Sequence, residues 1–134
     1  MVRVVQAMTE VEFPAMRREV ASALASLADP GYQRRAWIEG SSDTPHSYDD
    51  LTMVMNILYD DTQVLPEPRS RVQTVLLEGA EICALEALEV PLSAALDRLG
   101  NAGPVEYLDA PEWAEVVRLA SIALAAMVRR GGCI

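Results

Sequence analysis

The stretch Ala80–Leu99, AEICALEALEVPLSAALDRL, decides the fold class of this chain. Its leucines recur at intervals of three and four residues, the spacing that places side chains on one face of an α-helix. They are Leu85, Leu88, Leu92, Leu96 and Leu99. The stripe keeps its phase across Pro91, which lacks the N–H of a regular helix. We therefore expect one long helix that is kinked at this proline and not broken by it.

Helical spacing extends outward from this stretch to most of the chain. Phe13, Met16, Val20, Leu24 and Leu27 form an amphipathic stripe, and Asp29-Pro30 predicts a stop followed by a second, short helix over Gly31–Glu39. A third helix is expected to begin at Ser47. A last one, about Pro111–Arg130, is apolar on most faces and is predicted to be the central, most buried helix. Trp37 is expected in the core. The segment TQVLPEP is predicted to be a loop or an extended crossing, and RVQTVLL suits either a strand or a helix start.

These patterns predict an all-α fold, a compact irregular bundle of about five helices. At 134 residues the chain fits a single domain, 1–134, with residues 1–11 as a candidate flexible N-terminal arm. No apolar run is long enough for a signal peptide or a membrane span, so we expect a cytoplasmic protein that does not engage membranes.

The net charge of −9 is unevenly distributed. Glu39–Glu67 contains seven acidic residues and no arginine, a local charge of −7. Such a field repels phosphate backbones and disfavours nucleic-acid binding. It would attract a basic partner and accelerate their encounter.

The residue inventory disfavours catalysis and cofactors. His46 is the single histidine, no nucleophile motif accompanies it, and Cys83 is expected to be a buried free thiol. Glycine-rich phosphate loops are absent. Glu78-x-x-Glu81 and Glu86-x-x-Glu89 have a metal-site spacing, but they lack the histidines of bundle di-metal sites and are expected to form a solvated face. We expect no catalytic residue, no metal and no cofactor.

The segment Tyr48–Asp61, YDDLTMVMNILYDD, is the candidate binding site. On an ideal α-helix the two YDD triplets lie on the same side but about 16 Å apart, too far for one catalytic or metal centre. Asp49 and Asp50 suit a helix N-terminus, whereas Asp60 and Asp61 oppose the dipole at the other end. Three explanations remain open: the second pair caps a turn, an arginine of the chain meets it, or a partner does. The internal candidates are Arg34, Arg35, Arg69 and Arg71.

Three stretches in order, RREVASALASLADPGYQRRAW, YDDLTMVMNILYDD and YLDAPEW, resemble a family of small actinobacterial proteins without assigned function. The resemblance covers about Arg17–Ala126 and implies no catalytic residues. In size, acidity and helical content the chain is also similar in type to immunity proteins that accompany bacterial toxins.

The leading hypothesis is a non-enzymatic interaction protein that binds a basic protein, with a toxin domain the most concrete partner. Tyr48 and Tyr59 would be the anchors, and the four aspartates would surround them. The alternative is a regulator or enzyme that holds a small anion between helices with the four arginines named above. A homo-oligomer is compatible with either hypothesis.

Overall fold

A computed structural model describes residues 11–38, 51–77, 79–100 and 102–132. Within these ranges there is no β-strand, and six α-helices pack together, which confirms the all-α bundle. The helices are α1 (Pro14–Leu27), α2 (Pro30–Gln33), α3 (Leu51–Asn56), α4 (Ala80–Leu99), α5 (Pro104–Leu108) and α6 (Trp113–Gly132). Two π-helical turns, Arg34–Ile38 and Ile57–Asp61, continue α2 and α3, and Pro68–Arg71 forms a 3₁₀ turn. The predicted start of α3 at Ser47 and the end of the second helix at Glu39 lie outside the described residues.

The core lies where α6 packs against α4 and α1. Trp113, Val116, Ala120, Ala123 and Met127 form the buried face of α6, and the small alanines allow the neighbouring helices to approach closely. The prediction that α6 is apolar on most faces and deeply buried is only partly right. Its outer face stays in solvent within the described structure, where Ile122 is 45% and Val128 is 57% exposed.

Helix α4 is a single helix through Pro91, as the phase of the leucine stripe predicts. Three leucines of the stripe are fully buried: Leu85, Leu88 and Leu92. The helix ends at Gly100, whose φ of 54° is a left-handed conformation that favours glycine. A bidentate ion pair between Arg98 and Glu112 (2.6 and 3.0 Å) then ties the end of α4 to the turn before α6.

The first helix also begins and ends where the sequence predicts. Pro14 occupies its first turn, and Asp29 caps the following helix by accepting a hydrogen bond from the backbone N–H of Tyr32 (3.1 Å). Trp37 is buried, which confirms its expected place in the core. In the part of the chain that the structure describes, none of the helices has the length and apolar content to cross a membrane.

The ambiguous segment RVQTVLL is neither strand nor helix. Its apolar residues Val75, Leu76 and Leu77 are buried in an irregular turn, where the carbonyl of Arg71 accepts hydrogen bonds from the N–H groups of Val75 and Leu76 (both 3.0 Å). The chain before α1 joins this turn, because Glu12 and Phe13 donate backbone hydrogen bonds to the carbonyls of Gln73 and Thr74 (both 2.8 Å). These apolar residues therefore serve burial and not a sheet. TQVLPEP is a loop, as predicted.

Two predictions about α4 are wrong. Glu81, expected on a solvated face, is fully buried, and Cys83, expected to be buried, is exposed. The reason is register: Glu81 in the first turn of α4 points inward to Arg17 of α1, and Cys83 lies about 200° away around the helix. Glu86 and Glu89 keep part of their surface in solvent, and Glu78 lies outside the described residues.

The buried carboxylate of Glu81 is fully satisfied. It forms a bidentate ion pair with Arg17 of α1, with one contact at 2.8 Å, and it accepts a hydrogen bond from the backbone N–H of Leu77 (2.9 Å). Arg17 also donates to the carbonyl of Val75 (3.3 Å). One charge pair thus joins α1, the turn before α4 and the first turn of α4.

Breaking this pair should destabilise the fold strongly. Glu81→Gln leaves the Arg17 guanidinium, whose side chain is only 16% exposed, without its counter-charge, and we expect a loss of about 3 kcal/mol in the free energy of unfolding, measured with urea. Glu115→Gln is the control: it breaks the exposed pair with Arg118 and should cost less than about 1 kcal/mol. Equal losses in the two variants would contradict the structural role assigned to the buried pair.

Candidate partner-binding surface

The second YDD triplet lies on the π-helical turn that ends the third helical segment. The backbone N–H of Thr62 donates to the carbonyl of Ile57 (3.0 Å), the five-residue spacing that defines this turn. Asp60 and Asp61 are exposed at its end. Tyr48, Asp49 and Asp50 lie outside the described residues, so the capping role of the first triplet and the 16 Å spacing stay predictions.

The side chain that closes the turn belongs to Thr62 and not to the aspartates. Its hydroxyl donates to the same carbonyl of Ile57 (2.6 Å). Within the described ranges the side-chain carboxylate of neither Asp60 nor Asp61 forms a hydrogen bond or an ion pair. Of the three explanations for this acidic pair, the contacts therefore support neither capping nor an internal arginine.

Tyr59 packs inward instead of standing free as an anchor. Its ring is half-buried against the core, and its hydroxyl donates a hydrogen bond to Oε1 of Glu89 on α4 (2.7 Å). Burial raises the pKa of Tyr59 above its ordinary value, and the hydrogen bond to Glu89 and the negative charges of Glu89 and Asp97 raise it further. Tyr59 thus fixes the position of the two aspartates that follow it.

The contact between Tyr59 and Glu89 joins the segment that carries the two aspartates to α4, which carries three further acids. Glu86 and Glu89 are one turn apart on that helix, and Asp97 is close enough to Glu89 to raise the pKa of its carboxyl. Burial is the larger cause of that raised pKa, and the hydrogen bond from Tyr59 opposes it. We call the acids carried by these two joined elements and the loop between them the acidic surface; it comprises Asp60, Asp61, Glu67, Glu86, Glu89 and Asp97.

The candidate binding site predicted from the sequence did not include the acids of α4. Their spacing relates them to one another on α4, but it does not relate α4 to the segment that carries Asp60 and Asp61. The two elements meet through contacts thirty residues apart in the chain, and no local pattern reports these. The acidic surface is not a metal centre by its geometry: within the described ranges no three carboxylate, histidine or cysteine side chains are grouped closely enough to hold an ion.

The four arginines proposed as an anion site are not brought together by any contact of the described structure. Arg34 and Arg35 are exposed on the π turn that packs against α5. Arg69 forms an ion pair with Glu86 (2.9 Å), and Arg71 contacts the side-chain oxygen of Gln63. These contacts leave Arg69 and Arg71 engaged by groups of the protein itself.

The family-like stretches LADPGYQRRAW and YLDAPEW meet at a different place, in the core. Gln33 is fully buried and accepts a hydrogen bond from the indole N–H of Trp113 (3.0 Å). Trp113 makes edge-to-face contacts with Trp37 and Tyr107, at centroid distances of 6.4 and 6.1 Å. These buried residues of the two stretches are thus packing residues, whereas Asp60 and Asp61 of the acidic surface belong to the third stretch, YDDLTMVMNILYDD.

The raised pKa of Glu89 predicts a pH-dependent stability. Burial of the neutral Glu89 carboxyl contributes to the free energy of unfolding. That contribution is fully present below the pKa that Glu89 has in the unfolded chain, and it is lost as the pH rises through the higher pKa of Glu89 in the folded protein. Glu89→Gln removes this titration and can still accept the hydrogen bond from Tyr59. We expect it to raise the melting temperature at pH 7 by about 1–3 °C relative to the native protein, and by less at pH 4.

The matched reference for this prediction is Glu19→Gln, which makes the same charge change on the exposed side of α1. The measurement is the melting temperature of the native protein, Glu89→Gln and Glu19→Gln at pH 7 and at pH 4. A Glu89→Gln effect equal to that of Glu19→Gln at each pH would show that burial of Glu89 has no consequence for stability.

Comparison with known proteins identifies a family but no characterised relative. No curated protein and no solved structure matches the chain. A family model described as a domain of unknown function, DUF7945, matches residues 11–132. Because this match spans nearly the whole of the described fold, the chain belongs to the DUF7945 family.

Proposed function

We propose that this protein is a non-enzymatic interaction module that binds a basic protein through the acidic surface. The observation that carries the proposal is the exposed pair Asp60-Asp61, which lies at the end of a helical segment without a counter-charge among the described residues. Aspartates there oppose the helix dipole at a cost of about 0.3–1 kcal/mol each. A cation supplied by a partner would remove that cost on binding.

The acids of α4 add further negative charge to that of Asp60 and Asp61, so that the proposed binding surface includes more than one element of the fold. Glu86, Glu89 and Asp97 project from a twenty-residue helix whose opposite face is packed in the core. Tyr59 holds the second acidic element against that helix. The surface is therefore preorganised on helices, which reduces the conformational entropy lost when a partner binds.

The most concrete form of the proposal is the neutralisation of a basic toxin domain by a cytosolic protein. Small size, an acidic charge of −9 and a helical fold support it as likeness in type to immunity proteins. The attraction would accelerate association and would weaken as salt screens the charges. An origin in actinobacteria belongs to the same proposal and rests on the sequence resemblance.

Charge reversal tests the surface directly. We expect the native protein to bind a labelled peptide of nine arginines, with an affinity that falls as salt is raised. Asp60→Arg with Asp61→Arg should weaken that binding about tenfold, because two favourable charge contacts become repulsive. Fluorescence anisotropy at several salt concentrations measures the dissociation constants.

The matched control reverses two exposed acids of the α1 region, Glu12→Arg with Glu19→Arg, and gives the same net charge. It should weaken peptide binding by no more than about twofold. Circular dichroism establishes that both variants remain folded. Equal weakening by the two variants would mean that the peptide responds to net charge alone, and the proposed binding surface would be wrong.

A further inference from the structure

An open depression lies at one end of the acidic surface, where the chain after the second π turn crosses α4. It is lined by Pro66, Glu67, Pro68, Arg69, Ser70 and Glu86 and has a volume of about 560 Å³. That volume lies within the range of ligand sites, and the depression is more open to solvent than enclosed. An open depression of this kind can admit a long side chain of a docked protein.

The depression contains a cation of the protein itself. Arg69 donates from Nε to Oε2 of Glu86 (2.9 Å) and from Nη2 to Oε1 (3.5 Å), so both carboxylate oxygens are engaged by one guanidinium. The second distance is at the limit of a hydrogen bond. The side chains are 64% and 41% exposed, and exposed pairs of this kind contribute little to stability. Arg69 can therefore leave Glu86 at low cost.

We propose that Arg69 occupies, in the free protein, the position that an arginine of the basic partner takes in the complex. The incoming guanidinium forms the bidentate pair with Glu86, its aliphatic stem packs against the exposed ring of Pro66, and Arg69 turns out into solvent. The inference rests on the proposed function, because it places a basic partner on this surface. Beyond that function, it specifies that the docking side chain of the partner is an arginine and that Arg69 competes with it for Glu86.

Arginine fits this position better than lysine for a geometric reason. A guanidinium presents two parallel N–H groups to the two oxygens of one carboxylate, whereas an ammonium is a point charge. Glu86 already holds a guanidinium with both oxygens in the free protein. The exposed ring of Pro66 offers an apolar face to the stem of a long basic side chain. The site should therefore prefer arginine-containing partners.

The competition predicts the size of an effect: Arg69→Gln, which removes a positive charge, should strengthen binding of the nine-arginine peptide by more than the change in net charge explains. The control is Arg118→Gln, which removes the same charge from another exposed bidentate pair, that with Glu115 on α6. We expect Arg69→Gln to increase the affinity about threefold more than Arg118→Gln does. Anisotropy titrations at one salt concentration measure both.

A peptide of nine lysines supplies the second readout. The native protein should bind the arginine peptide more tightly than the lysine peptide, and Glu86→Gln should abolish that preference. The inference is overturned if Arg69→Gln weakens binding, if it matches Arg118→Gln, or if the preference survives in Glu86→Gln. A native protein that binds neither peptide overturns the inference together with the proposed function.

The two proposals fail separately in the same set of titrations. In one outcome, charge reversal of Asp60 and Asp61 weakens peptide binding more than the Glu12→Arg, Glu19→Arg control does, while Arg69→Gln and Arg118→Gln have equal affinities. The acidic surface is then supported as the binding site, and the proposed exchange of arginines at Glu86 is wrong. If reversal of the aspartates equals its control, the proposed surface is wrong whatever the arginine variants do.

Discussion

The side-chain amide of Gln33 joins three parts of the fold, and the packing of the helices depends on its hydrogen bonds. Its Nε2 donates to the carbonyls of Ser26 and Leu27 (both 2.8 Å), two of the groups that the end of α1 leaves without a helical partner. Its Oε1 accepts from the indole of Trp113, eighty residues away. Gln33 is fully buried, so each lost bond would cost about 1–3 kcal/mol. The amide thereby fixes where α2 turns away from α1 and where α6 begins.

The aromatic contacts around Trp113 extend this connection to the end of α4. Tyr107 lies edge-to-face with Trp113, and its hydroxyl donates to the carbonyl of Gly100 (2.6 Å), the residue that ends α4. Burial raises the pKa of Tyr107, consistent with a phenol that donates and does not ionise. The two stretches that most resemble a known family are therefore accounted for by packing. This leaves the acidic surface, formed by other residues, as the part of the described molecule that packing does not explain.

Sequence patterns predicted the elements whose causes are local. The leucine stripe of α4, the proline at the start of α1 and the cap at Asp29 depend on neighbours within one or two turns, and the structure has all three. Glu81 was assigned to solvent because its partner, Arg17, is sixty-four residues away and no local pattern indicates it. The contact of Tyr59 with Glu89, thirty residues away, was missed for the same reason. The sequence thus predicted the half of the acidic surface that belongs to the acidic segment Glu39–Glu67. It did not predict the half that lies on α4.

A double-mutant cycle between Gln33 and Trp113 tests most directly whether their hydrogen bond connects the family-like stretches. Gln33→Met removes the amide, Trp113→Phe removes the indole N–H but retains an aromatic ring, and urea unfolding of the native, single and double variants gives the coupling free energy. Because the two side chains share one buried bond, we predict a coupling of at least about 1 kcal/mol. Additive losses, with a coupling near zero, would contradict the account and would mean that apolar packing alone positions α6.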